Sequence, residues 1–290
     1  MLDVRSKPAT RPRSAGRLVT VAGAAVFVAA YAWLIATGHT RIASSADADA
    51  DRISLWAAAL PALAAMAVAR LVPSRSQPLP SPPRGGVGET VALVGCAVAM
   101  AVAALFTGHG LAHIGLKLVF LLAVPLLVLR LSRADRVALP EASRLAAAPA
   151  VLVWFVLAQL SPLRMPLPDD LPDPVALVVG SLVTLLTASV LEEFFYRRWL
   201  QTRLEALAGR WAGITMAALL FAAMHSARID ASAPLLGVAT IVAVQGMFGL
   251  MLGYVWSRFR AMWAVVTIHV AANLVFVPML VERLPLPGTV

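Results

Sequence analysis

Three short segments place polar chemistry inside otherwise apolar stretches. They are residues 190–199 (VLEEFFYRRW), with Glu192, Glu193 and Arg197; residues 220–225 (LFAAMH), with Phe221 and His225; and residues 268–273 (IHVAAN), with His269 and Asn273. Ionisable groups are costly in an apolar medium, so each one there is a functional candidate. Glu193 and Arg197 are four apart and share a helix face, where they are expected to pair. Glu192 is rotated by about 100° from Glu193. One carboxylate can then be neutralised structurally while the other stays free for chemistry.

A poorly hydrated carboxylate beside an imidazole suits the removal of a proton from water. Counting outward from the connection near Ala208, Glu192 and His225 both lie about 24–26 Å away on successive antiparallel helices, which predicts that they face each other. His269 and Asn273, again four apart, offer donors for the oxyanion of a tetrahedral intermediate at an amide carbonyl. Together these residues describe a hydrolase site without a covalent nucleophile. The alternative is a catalytic zinc held by Glu192, His225 and His269. Against zinc, there is no His-Glu-x-x-His helix, and Asn273 is a better donor than ligand. His109 and His113 are also four apart, but neither a carboxylate nor a cysteine accompanies them, and Gly108 and Gly110 mark a loop.

The elements that must hold these residues are membrane helices. The chain has 290 residues, of which 60% are hydrophobic and 13% charged, with mean hydropathy +0.82, far from a soluble domain's composition. Apolar runs fall at about 18–38, 53–72, 90–107, 116–132, 145–160, 175–203, 208–225, 233–256 and 260–280, many near the length of a span. The expected fold is all-α, a polytopic transmembrane bundle of eight or nine spans. The net charge of +9 would suggest nucleic acid in a soluble protein. Here nearly all the basic residues lie between the runs, so lipid is the expected partner and nucleic acid is not.

The basic residues alternate in the way that the positive-inside rule requires. Arg5 to Arg17, then Arg70, Arg75 and Arg84, Arg130 to Arg144, Arg197 to Arg210, and Arg258 with Arg260 fall on one side. Arg41, Arg52, Lys117, Arg164, Arg228 and Arg283 fall on the other. This places the N-terminus in the cytoplasm. Trp199, Trp211, Trp256 and Trp263 are expected to form an interfacial belt on the cytoplasmic side. The chain divides into a basic tail (1–17), two helices with a proline-rich linker (18–88), further helices (89–144) and a core (145–290). Cys96 is alone, so no intrachain disulfide is possible.

The ordered motifs, Glu-Glu-x-x-x-Arg, then Phe-x-x-x-His, then His-x-x-x-Asn, resemble those of the CAAX prenyl endopeptidase and bacteriocin-processing (CPBP, or Abi) family of intramembrane proteases. The resemblance covers about residues 145–280. It implies a glutamic endopeptidase with no cofactor, in which Glu192 and His225 activate water. His269 and Asn273 would stabilise the oxyanion, and Glu193 and Arg197 would organise the site. It further implies a membrane-associated peptide or protein tail as substrate, in bacteriocin-related or C-terminal sorting-signal processing. The Ala- and Arg-rich composition points to a bacterial inner membrane. A non-catalytic transporter or scaffold is the alternative from another class.

Overall fold

The computed structural model describes residues 13–43, 52–73, 86–108, 110–132, 145–165, 173–274 and 279. They are nearly all helical, because an apolar segment in lipid must satisfy its own backbone hydrogen bonds. Among the described residues there are nine helices: α1 (Arg13–Ala36), α2 (Leu55–Leu71), α3 (Gly86–Thr107), α4 (Leu111–Leu131), α5 (Ala148–Leu160), α6 (Pro174–Ala208), α7 (Arg210–Ala223), α8 (Pro234–Phe259) and α9 (Met262–Asn273). Each matches one of the nine apolar runs. The basic tail through residue 12, most of the proline-rich linker and His109 lie outside the described residues.

Helices α1, α3, α4, α6 and α8 are long and apolar enough to cross a membrane, whereas α2, α5, α7 and α9 are shorter. The shortest, α9, has 12 residues and extends about 18 Å, against a hydrocarbon core of about 30 Å. Five helices therefore meet the length of a span, and eight or nine spans would require the short ones as well. The ends are set locally. Asp173 caps α6, its Oδ1 accepting from the backbone N–H groups of Val175 and Ala176 at 3.0 and 3.1 Å, with Pro174 in the first turn. Gly209, at φ +95°, makes the tight turn from α6 into α7.

One departure from an all-α chain is a two-stranded antiparallel ribbon, β1 (Arg41–Ala43) and β2 (Arg52–Ser54), in which Ile42 faces Ile53. Both isoleucines are buried. The run expected to begin a helix at residue 53 thus starts as a strand, and Ser54 then caps α2 by accepting from the Trp56 N–H.

Helices α7 and α8 form the centre. Helix α8 packs on α2, α7 and α9, while α7 also meets α1, α3 and α6. Small residues permit this closeness: a Cβ at Gly253 would lie 2.9 Å from Gln201 Oε1, and one at Gly249 would lie 3.1 Å from the Phe221 ring. Hydrogen bonds sort the helix ends. Arg258 of α8 donates to the carbonyls of Ala69 and Val72 at the end of α2, and Arg203 of α6 pairs with Glu89 at the start of α3 at 3.0 Å. These contacts mark a basic end of the bundle. At the other end Ser226, after α7, donates to Ala101 O of α3, and Gln159 of α5 donates to Ala271 O of α9 at 3.0 Å.

Trp256 is fully buried and donates to Thr202 Oγ1 at 3.2 Å, so it belongs to the core and not to the expected belt. Its position on α8 turns it toward α6, where the indole N–H finds a hydroxyl partner. Trp211 and Trp263 are exposed, as a belt would require.

Candidate active site

Helix α6 carries a polar stripe through an apolar bundle. Glu193, Arg197, Gln201 and Glu205 follow one another at intervals of four and are all fully buried. Arg197 Nε donates to Glu193 Oε2 at 3.0 Å, and Arg197 Nη1 reaches Gln201 Oε1 at 3.5 Å. The Gln201 amide donates to Glu205 Oε1 at 2.7 Å and to Gly253 O at 2.8 Å. At the basic end the stripe closes on Arg260, which pairs with Glu205 and adopts the left-handed conformation, φ 52°. At the other end, His269 Nδ1 lies 2.8 Å from Glu193 Oε1.

In a regular α-helix each step of four overshoots a full turn by about 40°, so the stripe would wind away from α8 and α9. A π-helical stretch within the stripe, Phe194–Gln201, widens the turns and takes up that excess. Thr202 Oγ1 accordingly donates five residues back, to Arg197 O at 2.9 Å.

Beside the stripe is a cavity of about 190 Å³ lined by Trp154, Gln159, Phe221, His225, Arg228, Gln245, Phe248, His269 and Asn273, among others. It lies at the end opposite the basic end. Phe221 stands between the two histidines, its ring centroid 5.1 Å from that of His225 and 5.8 Å from that of His269. The Arg197 guanidinium lies over Phe221 at 5.2 Å from the centroid. His225 Nδ1 lies 2.9 Å from Phe221 O. A carbonyl only accepts, so Nδ1 carries a hydrogen and Nε2 is left for proton exchange.

Glu192 is 1% exposed. Its Oε2 lies 3.9 Å from His269 Nε2, and its Oε1 lies 2.7 Å from Lys117 Nζ. Apart from these ionic contacts, neither oxygen accepts a hydrogen bond from the described residues. The two adjacent glutamates are thus treated differently. Glu193 is engaged by Arg197 and closely by His269, whereas Glu192 meets Lys117 and stands farther from His269.

All six residues singled out by spacing fall in or beside this one region. Glu193 and Arg197 pair as expected, and His269 and Asn273 line the same cavity. Glu192, however, contacts Lys117 and His269 instead of His225. The depth argument placed Glu192 and His225 level with each other but could not fix their azimuth. Lys117 is a correction to the loop assignment: it lies within α4 and is buried. The helix begins at Leu111, earlier than the apolar run suggests, since Gly110 at φ +107° and not the hydropathy sets its start.

Gln159, Gln245, Gln201 and Glu205 were missed. The first three are uncharged and escape a search for ionisable groups, and Glu205 follows the apparent end of its run. Gln245 Oε1 is buried without a hydrogen-bond partner in the cavity wall, which suits it to accept from a peptide N–H. Replacing it with Leu is expected to raise KM about five- to tenfold with kcat little changed, about the net worth of one hydrogen bond. Equal kcat and KM in the two proteins would exclude that contact.

Among the described residues, no three His, Cys, Asp or Glu side chains are gathered as a metal-binding group.

Residues 174–275 match the family model described as type II CAAX prenyl endopeptidase Rce1-like. The matched segment runs from the start of α6 to just beyond α9 and contains all three motifs. No curated protein and no solved structure matches the chain.

Proposed function

With residues 174–275 as an Rce1-like domain, we propose that the protein is an intramembrane endopeptidase that hydrolyses a peptide bond of a membrane-associated tail without a metal. The observation that carries this reading is the site's division of labour. Glu193 is held through both oxygens, by Arg197 Nε at 3.0 Å and His269 Nδ1 at 2.8 Å, while Glu192 meets the Lys117 ammonium through Oε1 and leaves Oε2 3.9 Å from His269 Nε2.

In this mechanism water enters the cavity between the motif residues. Glu192 takes its proton and later returns it to the leaving amine, while His225 Nε2 helps to orient the water. The resulting hydroxide attacks the carbonyl carbon, and the oxyanion receives hydrogen bonds from Asn273 and from His269 Nε2. Donation from Nε2 while Nδ1 serves Glu193 requires the imidazolium, whose charge Glu193 balances. Trp154, Phe221 and Phe248 offer apolar surface to the substrate, beside which the donors act at a lower dielectric than in water. The basic end, which includes the start of α1, belongs in the cytoplasm by the positive-inside rule. The cavity then faces the opposite side, which favours an extracytoplasmic scissile bond such as that of a C-terminal sorting signal, in a bacterial inner membrane.

The test is a comparison of membrane-protein C-termini, by mass spectrometry, between wild-type cells and cells carrying Glu192→Ala. Uncleaved species that accumulate only in the mutant support the reading and name the substrate; identical peptidomes count against it. Purified protein is expected to keep its activity after exhaustive chelation. Loss on chelation that added zinc restores would favour the zinc alternative through Glu192, His225 and His269.

A further inference from the structure

Among the described residues, Lys117 is the one charged residue of the site contributed by a helix outside the matched segment. It lies seven residues into α4 and is followed immediately by a π-helical stretch, Leu118–Ala123. The amine is 2.7 Å from Glu192 Oε1, with the lysine side chain 11% and the glutamate 1% exposed. Helix α4 otherwise packs through apolar residues such as Leu121 against the cluster holding Phe195 and Tyr196. A lysine in such a surface is costly, and packing alone does not account for it.

We infer that Lys117 is a positioning residue for the proposed peptidase, fixing the Glu192 carboxylate in the orientation from which it takes a proton from water. This inference rests on the peptidase reading. Apart from the Lys117 ammonium, Glu192 has no hydrogen-bond donor among the described residues, so without it the side chain would have no anchor except His269 Nε2, at 3.9 Å. Lysine suits this role better than arginine would. Its ammonium acts as a point charge and touches one oxygen, whereas an arginine fork would engage both. The other oxygen remains directed toward His269 and the water. The N-terminal helices thereby complete the site.

The experiment uses full-length protein in lipid nanodiscs, in a Cys96→Ala background, and a quenched fluorescent peptide library to find a cleaved sequence. Lys117→Cys should lower kcat about 30- to 100-fold with KM within twofold. Alkylation of that cysteine with bromoethylamine, which rebuilds a lysine-like ammonium, should restore most of kcat. Alkylation with neutral bromopropane, which fills similar volume, should not. Restoration by both reagents would make Lys117 a packing residue and overturn the assignment, as would a Lys117→Cys protein with wild-type kcat. Cleavage by the parent protein that is lost in Glu192→Gln but kept in Lys117→Cys removes Lys117 alone. A parent protein that cleaves nothing removes the peptidase reading, and this inference with it.

Discussion

Purified Glu192→Gln protein should lose about 10²- to 10⁴-fold in kcat, the contribution expected of a positioned proton acceptor, while remaining folded. Glutamine keeps the shape of the side chain but cannot take the proton. The residue left behind, Lys117, is the less buried member of the pair, at 11% exposure, and it sits on a long flexible stem. It can withdraw toward the near end of α4, so the stability cost is small. Glu193→Gln should behave in the opposite way. It leaves the Arg197 guanidinium, fully buried, without its carboxylate, a loss of about 3–5 kcal/mol for a broken buried pair. Kinetics and equilibrium unfolding on the two variants separate the roles. If Glu193→Gln were the folded but inactive protein, the proton acceptor would be Glu193.

The second large effect belongs to Arg197. Its guanidinium pairs with Glu193, reaches Gln201 and lies over Phe221, so it joins the stripe on α6 to the wall of the cavity on α7. Arg197→Met preserves much of the volume and removes all three contacts. The expected result is destabilisation by about 3–5 kcal/mol and loss of activity even at temperatures where the protein is folded, because Glu193 then no longer holds His269 in place. Arg197→Lys should not rescue it, since a single ammonium cannot span Glu193 and Gln201 as the planar fork does. Unfolding in mixed micelles and peptide cleavage measured on the same preparations decide the matter. An Arg197→Lys protein with wild-type stability would show that only the charge matters.

The helices were legible in the sequence because apolar runs in lipid have a single structural solution, and all nine fell where the runs are. The three motifs were legible for a related reason: Glu192, Glu193, Arg197, His225 and His269 are polar where polarity is costly. Lys117 was not, since its role depends on which face of α4 meets α6, a contact between residues 75 positions apart. Nor was the extension of the stripe to Gln201 and Glu205, which needs the widened turns of α6 to stay in line. The burial of Trp256 followed the same logic, because an indole at the end of an apolar helix looks interfacial until its neighbour is known.

The cavity wall has two origins in the chain. His225, Phe248, His269 and Asn273 belong to the segment matched by the family model, whereas Ile53, Trp154, Gln159 and Met165 precede it. An inhibitor built only against the histidines and Asn273 would grip the motif residues that define the family segment. One extended to Trp154 and Met165 would touch residues outside that segment, and it is there that selectivity for this protein over others carrying such a segment can be designed.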